Sequence, residues 1–213
     1  MSRLHQGQLI LTAGAPLNEA HAAVIMLHGR GANAESILSL VPEIDPGGVA
    51  YLAPQAANNT WYPYRFLASI ESNEPWLSSA FQAIDDVVAQ VTTLIRPENV
   101  LFLGFSQGAC LMSEYIARHA RRYGGVAVLS GGLIGPEGTP RNYIGSLDRT
   151  PIFIGCSDVD PHIPLARVHD TTNVLRQLGG EVTERIYPAM DHTINPDEID
   201  VVRAMLMKVT SNA

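Results

Sequence analysis

The chain alternates short apolar runs with longer segments in which apolar residues recur every three or four positions. Runs of this length, rich in Val, Ile and Leu, are typical of strands that are buried on both faces of a parallel sheet. We predict strands at Ala22–Gly29, Val49–Gln55, Asn99–Ser106, Gly125–Gly132, Pro151–Asp158 and the more polar Glu181–Pro188.

Three other segments have the period of amphipathic helices. The first has apolar residues from Phe81 to Leu94, after a Ser79-x-x-Gln82 capping-box pattern. The second carries Leu165 to Leu175, and the third begins at Asn195-Pro196-Asp197-Glu198, where a cap is followed by proline and acids. This alternation predicts an α/β fold, with helices on both faces of a mostly parallel central sheet. Its chemistry should lie on loops at the carboxyl ends of the strands.

One segment, residues 55–76, has no clear period and is rich in aromatic residues. A long irregular loop inside a compact domain often forms a lid or a wall of a binding site. We therefore predict that Trp61 and Tyr62 contact a substrate, with Leu133 beneath them. A small satellite core is the alternative interpretation of the same residues.

Length and composition limit the classes of function. The 213 residues suit a single domain, 1–213. A net charge of −7 without a run of Lys or Arg disfavours nucleic acid and anionic membrane as partners. Cys110 and Cys156 do not make a disulfide framework, which favours a reducing compartment. The first residues lack an apolar signal core, so we expect a cytoplasmic protein without stable membrane insertion.

The candidate chemistry begins at Ser106, in the sequence G-F-S-Q-G. A sharp strand-to-helix turn that exposes a nucleophilic serine needs small residues two positions before and after it, and Gly104 and Gly108 satisfy this. The backbone N–H of Gln107 would then lie at a helix N-terminus and face developing negative charge. An ordinary turn that contains a serine by chance is the alternative.

A serine hydroxyl is a weak nucleophile, so Ser106 needs a base and an acid that orients the base. In this type of fold the chain order is serine, acid, histidine. His192 follows the last predicted strand and is the expected base, with His162 as a second choice. The loop after Pro151–Gly155 offers the acid; the choice there lies between Asp158 and Asp160.

A glycine-rich loop follows the first predicted strand. The pattern Gly29-x-Gly31-x-x-Ala34 matches a dinucleotide-binding fingerprint, which would indicate an oxidoreductase. That fingerprint requires an acidic residue at the end of the next strand, and the sequence YLAPQAA has none. We therefore favour a loop that contacts substrate at Gly29 and supplies a second backbone N–H to an oxyanion hole. A purely structural turn is the third alternative.

Taken together, the motifs LHGRGAN, APQA, GFSQGA, LSGGL, SDVDPHIP and MDHTI resemble those of the phospholipase/carboxylesterase family of small α/β-hydrolases, the family of the acyl-protein thioesterases. The resemblance covers nearly the whole chain and implies the α/β-hydrolase fold. It implies a catalytic triad of Ser106, Asp160 and His192, in which Asp160 belongs to a D-P-x-[VI]-P motif. It also implies that Arg30 and Gln107 supply the oxyanion-hole N–H groups.

The activity implied by the resemblance is hydrolysis of a small-molecule carboxylic ester, thioester or lysophospholipid by a serine hydrolase without metal or cofactor. The sequence departs from the family in the more aromatic segment after Gln55 and in Asp191, where many relatives have a small or apolar residue. The preferred acyl group therefore does not carry over. The oligomeric state stays open, a homodimer included. A non-catalytic ligand-binding module on the same scaffold is the alternative function.

Overall fold

The protein is described by a computed structural model that covers residues 4–211 and contains one seven-stranded sheet. The strands are β1 Ile10–Gly14, β2 Ala22–Leu27, β3 Val49–Pro54, β4 Val100–Phe105, β5 Gly125–Leu129, β6 Pro151–Ser157 and β7 Glu181–Tyr187. Their spatial order is β1-β3-β2-β4-β5-β6-β7. β1 pairs antiparallel with β3 and every other pairing is parallel, which confirms the predicted mostly parallel sheet.

Helices cover both faces of the sheet, as predicted. They are α1 Ala34–Leu38, α2 Val41–Ile44, α3 Trp76–Thr92, α4 Gln107–Arg118, α5 Leu165–Gln177 and α6 Pro196–Ser211. Alternate residues of each central strand enter opposite cores: in β2, Ile25 belongs to the core that includes residues of α3, α4 and α5, whereas Val24 belongs to the core that includes residues of α1, α2 and α6. Burial of both faces explains why the central strands are continuously apolar.

The structure corrects two details of the sequence prediction. The sequence pattern does not predict strand β1, because its residues lie at the edge of the sheet and are mostly exposed rather than forming a buried apolar run. Helix α3 begins at Trp76 rather than near Ser79. The hydroxyl of Ser79 caps no helix; it lies inside α3, where it accepts a hydrogen bond from the backbone N–H of His5 at 3.0 Å.

The start of α6 is a reciprocal capping box, as the sequence indicates. The Asn195 side chain accepts from the Glu198 N–H at 3.0 Å, and the Glu198 carboxylate accepts from the Asn195 N–H at 2.9 Å. The second carboxyl oxygen of Glu198 is buried and has no hydrogen-bond partner among the described residues. Burial raises the pKa of Glu198 to about 7, because an ionised carboxyl without full solvation is unfavourable.

We expect Glu198→Gln to change how stability depends on pH. A carboxyl whose pKa is raised on folding stabilises the fold below its unfolded value of 4.5, and this contribution is lost as the pH rises through about 7. Relative to the native protein, the variant should therefore become more stable between about pH 5 and about pH 8. Urea unfolding at both pH values measures the difference. Glu35→Gln, at an exposed acid in the first turn of α1, is the matched control and should produce no such change.

Candidate active site

Ser106 occupies a strained turn between β4 and α4. Its backbone has φ 54° and ψ −118°, a conformation that costs a non-glycine residue about 1–3 kcal/mol. Two flanking glycines permit the tight turn. A Cβ on Gly104 would lie 2.8 Å from the backbone of Ala109, and one on Gly108 would overlap the carbonyl oxygen of Leu27. Packing therefore requires the glycines that the sequence pattern singles out.

The structure brings Ser106, His192 and Asp160 together from three strand ends. The Ser106 Oγ lies 2.8 Å from His192 Nε2, and His192 Nδ1 lies 2.7 Å from Asp160 Oδ2. A carboxylate can only accept, so Nδ1 carries the proton and Nε2 is free to accept from the serine hydroxyl. Phe105 packs beside the imidazole, with ring centroids 5.0 Å apart.

The Asp160 carboxylate is fully buried and well supplied with donors. Burial by itself would raise its pKa, but hydrogen bonds from His192 and from the backbone N–H groups of His162 and Ile163 outweigh it. The pKa of Asp160 is consequently lowered, and the side chain is ionised at neutral pH. The thiol of Cys156 lies 3.8 Å from Oδ2, on the same oxygen that His192 contacts.

The two alternatives in this loop occupy different positions. Asp158 is exposed, and its Oδ1 accepts from the backbone N–H of Ala189 at 2.8 Å, so it braces the loop that carries His192. The His162 ring lies edge-on to the His192 ring, with centroids 4.8 Å apart, and makes no hydrogen bond to Ser106. The geometry thus favours Asp160 and His192 over Asp158 and His162 as the partners of the serine.

Two backbone N–H groups lie near Ser106 without an acceptor. Among residues 4–211, neither the N–H of Arg30 nor that of Gln107 donates a hydrogen bond. Gln107 is the first residue of α4, so its N–H lies at the positive end of the helix dipole. Gly29 brings the other loop close, since a Cβ placed on it would lie 3.4 Å from the Cβ of Ser106.

A cavity of about 620 Å³ opens beside Ser106 and His192. Its wall is mainly apolar and aromatic and contains Gly29 and Tyr62, two of the residues expected to contact substrate. The other residues of the wall are Arg30, Ala32, Pro63, Tyr64, Arg65, Phe66, Phe105, Gln107, Cys110, His162 and Ile163. The sequence alone does not identify Cys110 as a wall residue. What could have indicated it is that Cys110 lies one helical turn after Ser106 and therefore on the same face of α4.

Trp61 and Leu133 do not line this cavity, which corrects the prediction that they contact substrate. Both are fully buried in the core. The Trp61 indole donates to the carbonyl of His28 at 2.9 Å, and its ring lies near the rings of His28 and His5. The backbone N–H of Leu133 donates to Thr171 Oγ1 at 2.9 Å. Trp61 and Tyr62 both belong to a main core cluster rather than to a small satellite core, and of the two only Tyr62 also lines the cavity.

The side chain of Gln107 attaches the aromatic segment to the serine turn. Its Oε1 accepts from the backbone N–H of Trp61 at 2.9 Å, and its Nε2 donates to the carbonyl of Tyr62 at 2.8 Å. The amide is buried, so these hydrogen bonds satisfy both of its ends away from water. The segment 60–62 is consequently fixed to the first residue of α4, and nothing in the sequence pattern indicates this contact.

The family follows from comparison of the chain with known proteins. A sequence model described as phospholipase/carboxylesterase matches residues 12–210. The chain belongs to the phospholipase/carboxylesterase family. A crystal structure of a phospholipase/carboxylesterase from Dyadobacter fermentans DSM 18053 is 43% identical, covers 94% of this chain and 97% of its own, and superposes with a TM-score of 0.91. The α/β-hydrolase fold implied by the sequence motifs is thereby confirmed.

Two curated relatives in this family are acyl-protein thioesterases. Acyl-protein thioesterase 1 of Gibberella zeae is 30% identical over 122 residues, which are 56% of this chain and 52% of that protein. Acyl-protein thioesterase 1 of Saccharomyces cerevisiae is 28% identical over 138 residues, which are 63% of this chain and 60% of that protein. The chain thus spans little more than half the length of the curated relatives that it matches.

Two further features bear on possible ligands. Within residues 4–211, no helix combines the length and apolar character needed to cross a bilayer. In the same part of the chain, no three or more His, Cys, Asp and Glu side chains are grouped so that they could hold a metal ion.

We expect Gly108→Ala to destabilise the protein, although alanine is normally the better helix former. The added Cβ would overlap the carbonyl oxygen of Leu27 and lie 2.6 Å from that of His28, so α4 would have to move away from β2. Overpacking of this kind costs about 1–3 kcal/mol. Urea unfolding measures the loss. Gly29→Ala, whose Cβ would have ordinary contacts at 3.4 Å, is the control and should leave stability nearly unchanged.

Proposed function

We propose that the protein is a serine hydrolase that cleaves small carboxylic esters or thioesters through an acyl-enzyme intermediate. The observation that carries the proposal is the hydrogen-bonded chain from Ser106 Oγ through His192 to Asp160, at the edge of an apolar cavity. A serine in this setting has a base in contact and a buried carboxylate that holds the base in the required tautomer. Family membership supports a hydrolase of esters or thioesters.

In the proposed first step, Ser106 Oγ attacks the carbonyl carbon of the substrate while its proton passes to His192 Nε2. The carbonyl oxygen becomes an oxyanion that accepts from the free N–H groups of Arg30 and Gln107. Asp160 stabilises the imidazolium because its lowered pKa keeps it ionised. His192 then gives the proton to the leaving alcohol or thiol as the carbon–heteroatom bond breaks, which leaves the acyl group on Ser106.

In the second step, water replaces the leaving group. His192 removes a proton from water, and the hydroxide adds to the acyl carbon. The oxyanion that forms again accepts hydrogen bonds from the same two N–H groups. Collapse of this intermediate breaks the bond to Ser106, whose oxygen regains the proton from His192. The carboxylic acid departs, and each step returns the residues to their starting protonation states.

Ser106→Ala should abolish hydrolysis of short p-nitrophenyl esters, because the acyl group then has no oxygen to which it can transfer. We expect a fall in kcat of several powers of ten. Release of p-nitrophenol measures it, and a fluorophosphonate probe should label the native protein but not the variant. An unlabelled native Ser106 would contradict the proposal and indicate a ligand-binding module instead.

Asp160→Asn and Asp158→Asn form a matched pair that tests the acid. The amide introduced by Asp160→Asn would favour the wrong imidazole tautomer, and we expect kcat to fall by about 10⁴. Asp158→Asn keeps the oxygen that accepts from the Ala189 N–H, so kcat of this variant should stay within a few-fold of the native value. Steady-state kinetics of both variants decides between the two carboxyls, and the reverse result would assign the acid to Asp158.

A further inference from the structure

Arg30 is exposed and lines the cavity, and its guanidinium is held by hydrogen bonds to the neighbouring segment. One guanidinium nitrogen donates to Thr60 Oγ1 at 3.2 Å and to the carbonyl of Pro63 at 2.8 Å, and the other donates to the carbonyl of Tyr64 at 2.5 Å. The guanidinium also lies over the Tyr62 ring, 5.9 Å from its centroid. These four contacts are all with residues 60–64, a segment of which Tyr62, Pro63 and Tyr64 line the cavity.

The backbone of the same residue needs such support. The Gly29–Ala32 turn belongs to no helix or strand, and Gly31 has a positive φ of 77°, so the direction of its N–H groups is not fixed by regular hydrogen bonding. Within the turn, the Ala32 N–H donates to the carbonyl of Gly29 at 3.2 Å, and the Gly31 N–H donates to that of Asn59 at 2.8 Å. The Arg30 side chain adds further links between this turn and the neighbouring segment.

Segment 60–64 is itself fixed to the serine turn through the Gln107 amide, which contacts Trp61 and Tyr62. The two residues with free N–H groups beside Ser106 therefore hold the same five-residue segment with their side chains. A continuous series of contacts therefore links the two residues. The Arg30 guanidinium binds segment 60–64, and the same segment binds the side-chain amide of Gln107.

We propose that Arg30 is a positioning residue: its guanidinium holds segment 60–64, and this contact fixes the direction in which its own N–H points at the oxyanion. The inference rests on the serine hydrolase function proposed above. The Arg30 side chain then contributes to the reaction without contacting the substrate. The arginine is well suited to this, because a planar fork can serve several oxygens at once whereas a lysine ammonium acts as a compact point charge.

Arg30→Ala should lower kcat for a short neutral ester by about tenfold to a hundredfold, since removal of a whole oxyanion donor costs about 10²–10³. KM should change little, because the substrate gains the interaction only when its oxygen becomes charged. Arg30→Lys should give an intermediate kcat. Added ethylguanidinium should not restore the kcat of Arg30→Ala, because a free guanidinium is not bonded to the backbone of residue 30; rescue to the native kcat would contradict the inference.

The affinity for a trifluoromethyl ketone distinguishes a positioning role from a purely structural one, because loss of a purely structural residue would not change it selectively. Ser106 adds to the ketone carbonyl to form a tetrahedral oxyanion, so the affinity for the ketone reports on the two N–H groups. We expect Arg30→Ala to weaken this inhibitor by the same factor as kcat, while the affinity for the product carboxylic acid is retained. Circular dichroism and the unfolding midpoint establish that the variant is folded.

Arg65→Ala is the comparison variant for the loss of a positive charge; because Arg65 lines the cavity, its KM is free to change, and the comparison is made on the affinity for the ketone relative to that for the product acid. Arg65 is an exposed arginine of the same cavity wall whose side chain makes no hydrogen bond with the described residues. If the effect of Arg30→Ala came only from a lost positive charge at the cavity mouth, Arg65→Ala would reproduce it and salt would weaken it. That result, or native kcat and native ketone affinity in Arg30→Ala, would overturn the inference. Activity of the native enzyme and its loss in Ser106→Ala would stand independently.

Discussion

The close approach of helix α4 to strand β2 is the constraint on which the rest of the site depends. Gly108 lies directly against the carbonyl oxygens that end β2, and a single Cβ there would overlap them. This contact places the first residue of α4 beside the loop that follows β2, so Gln107 and Arg30, whose N–H groups donate no hydrogen bond among residues 4–211, both line the cavity at Ser106. The strained φ of Ser106 follows from the same tight junction.

Much of the site is evident from the sequence because its residues follow parallel strands of the sheet. The carboxyl ends of β4, β6 and β7 meet at one edge of the sheet, so Ser106, Asp160 and His192 are neighbours although up to 86 residues separate them. A local pattern is also sufficient to predict the start of α6 at Asn195, because the capping box there is formed within four residues of sequence.

Features that depend on contacts distant in sequence are not predictable in this way. Trp61 and Tyr62 are adjacent aromatic residues and both are fully buried, yet only Tyr62 lines the cavity, whereas the Trp61 indole donates to the carbonyl of His28. Ser79 has the sequence context of a cap but binds the N-terminal segment at His5, 74 positions away. The edge strand β1 lacks the buried apolar pattern because its residues are mostly exposed to solvent.

The contacts of Arg30 have a consequence for how the cavity could diversify. Two of its three hydrogen-bond acceptors are backbone carbonyls, those of Pro63 and Tyr64, and every residue type presents a carbonyl. The Gln107 amide likewise binds backbone groups of Trp61 and Tyr62. The exposed side chains at positions 63–65 can therefore be exchanged without removing these contacts, whereas Phe66 is part of the core. Selection or laboratory evolution can reshape the cavity wall at these positions while the geometry around Ser106 is inherited unchanged.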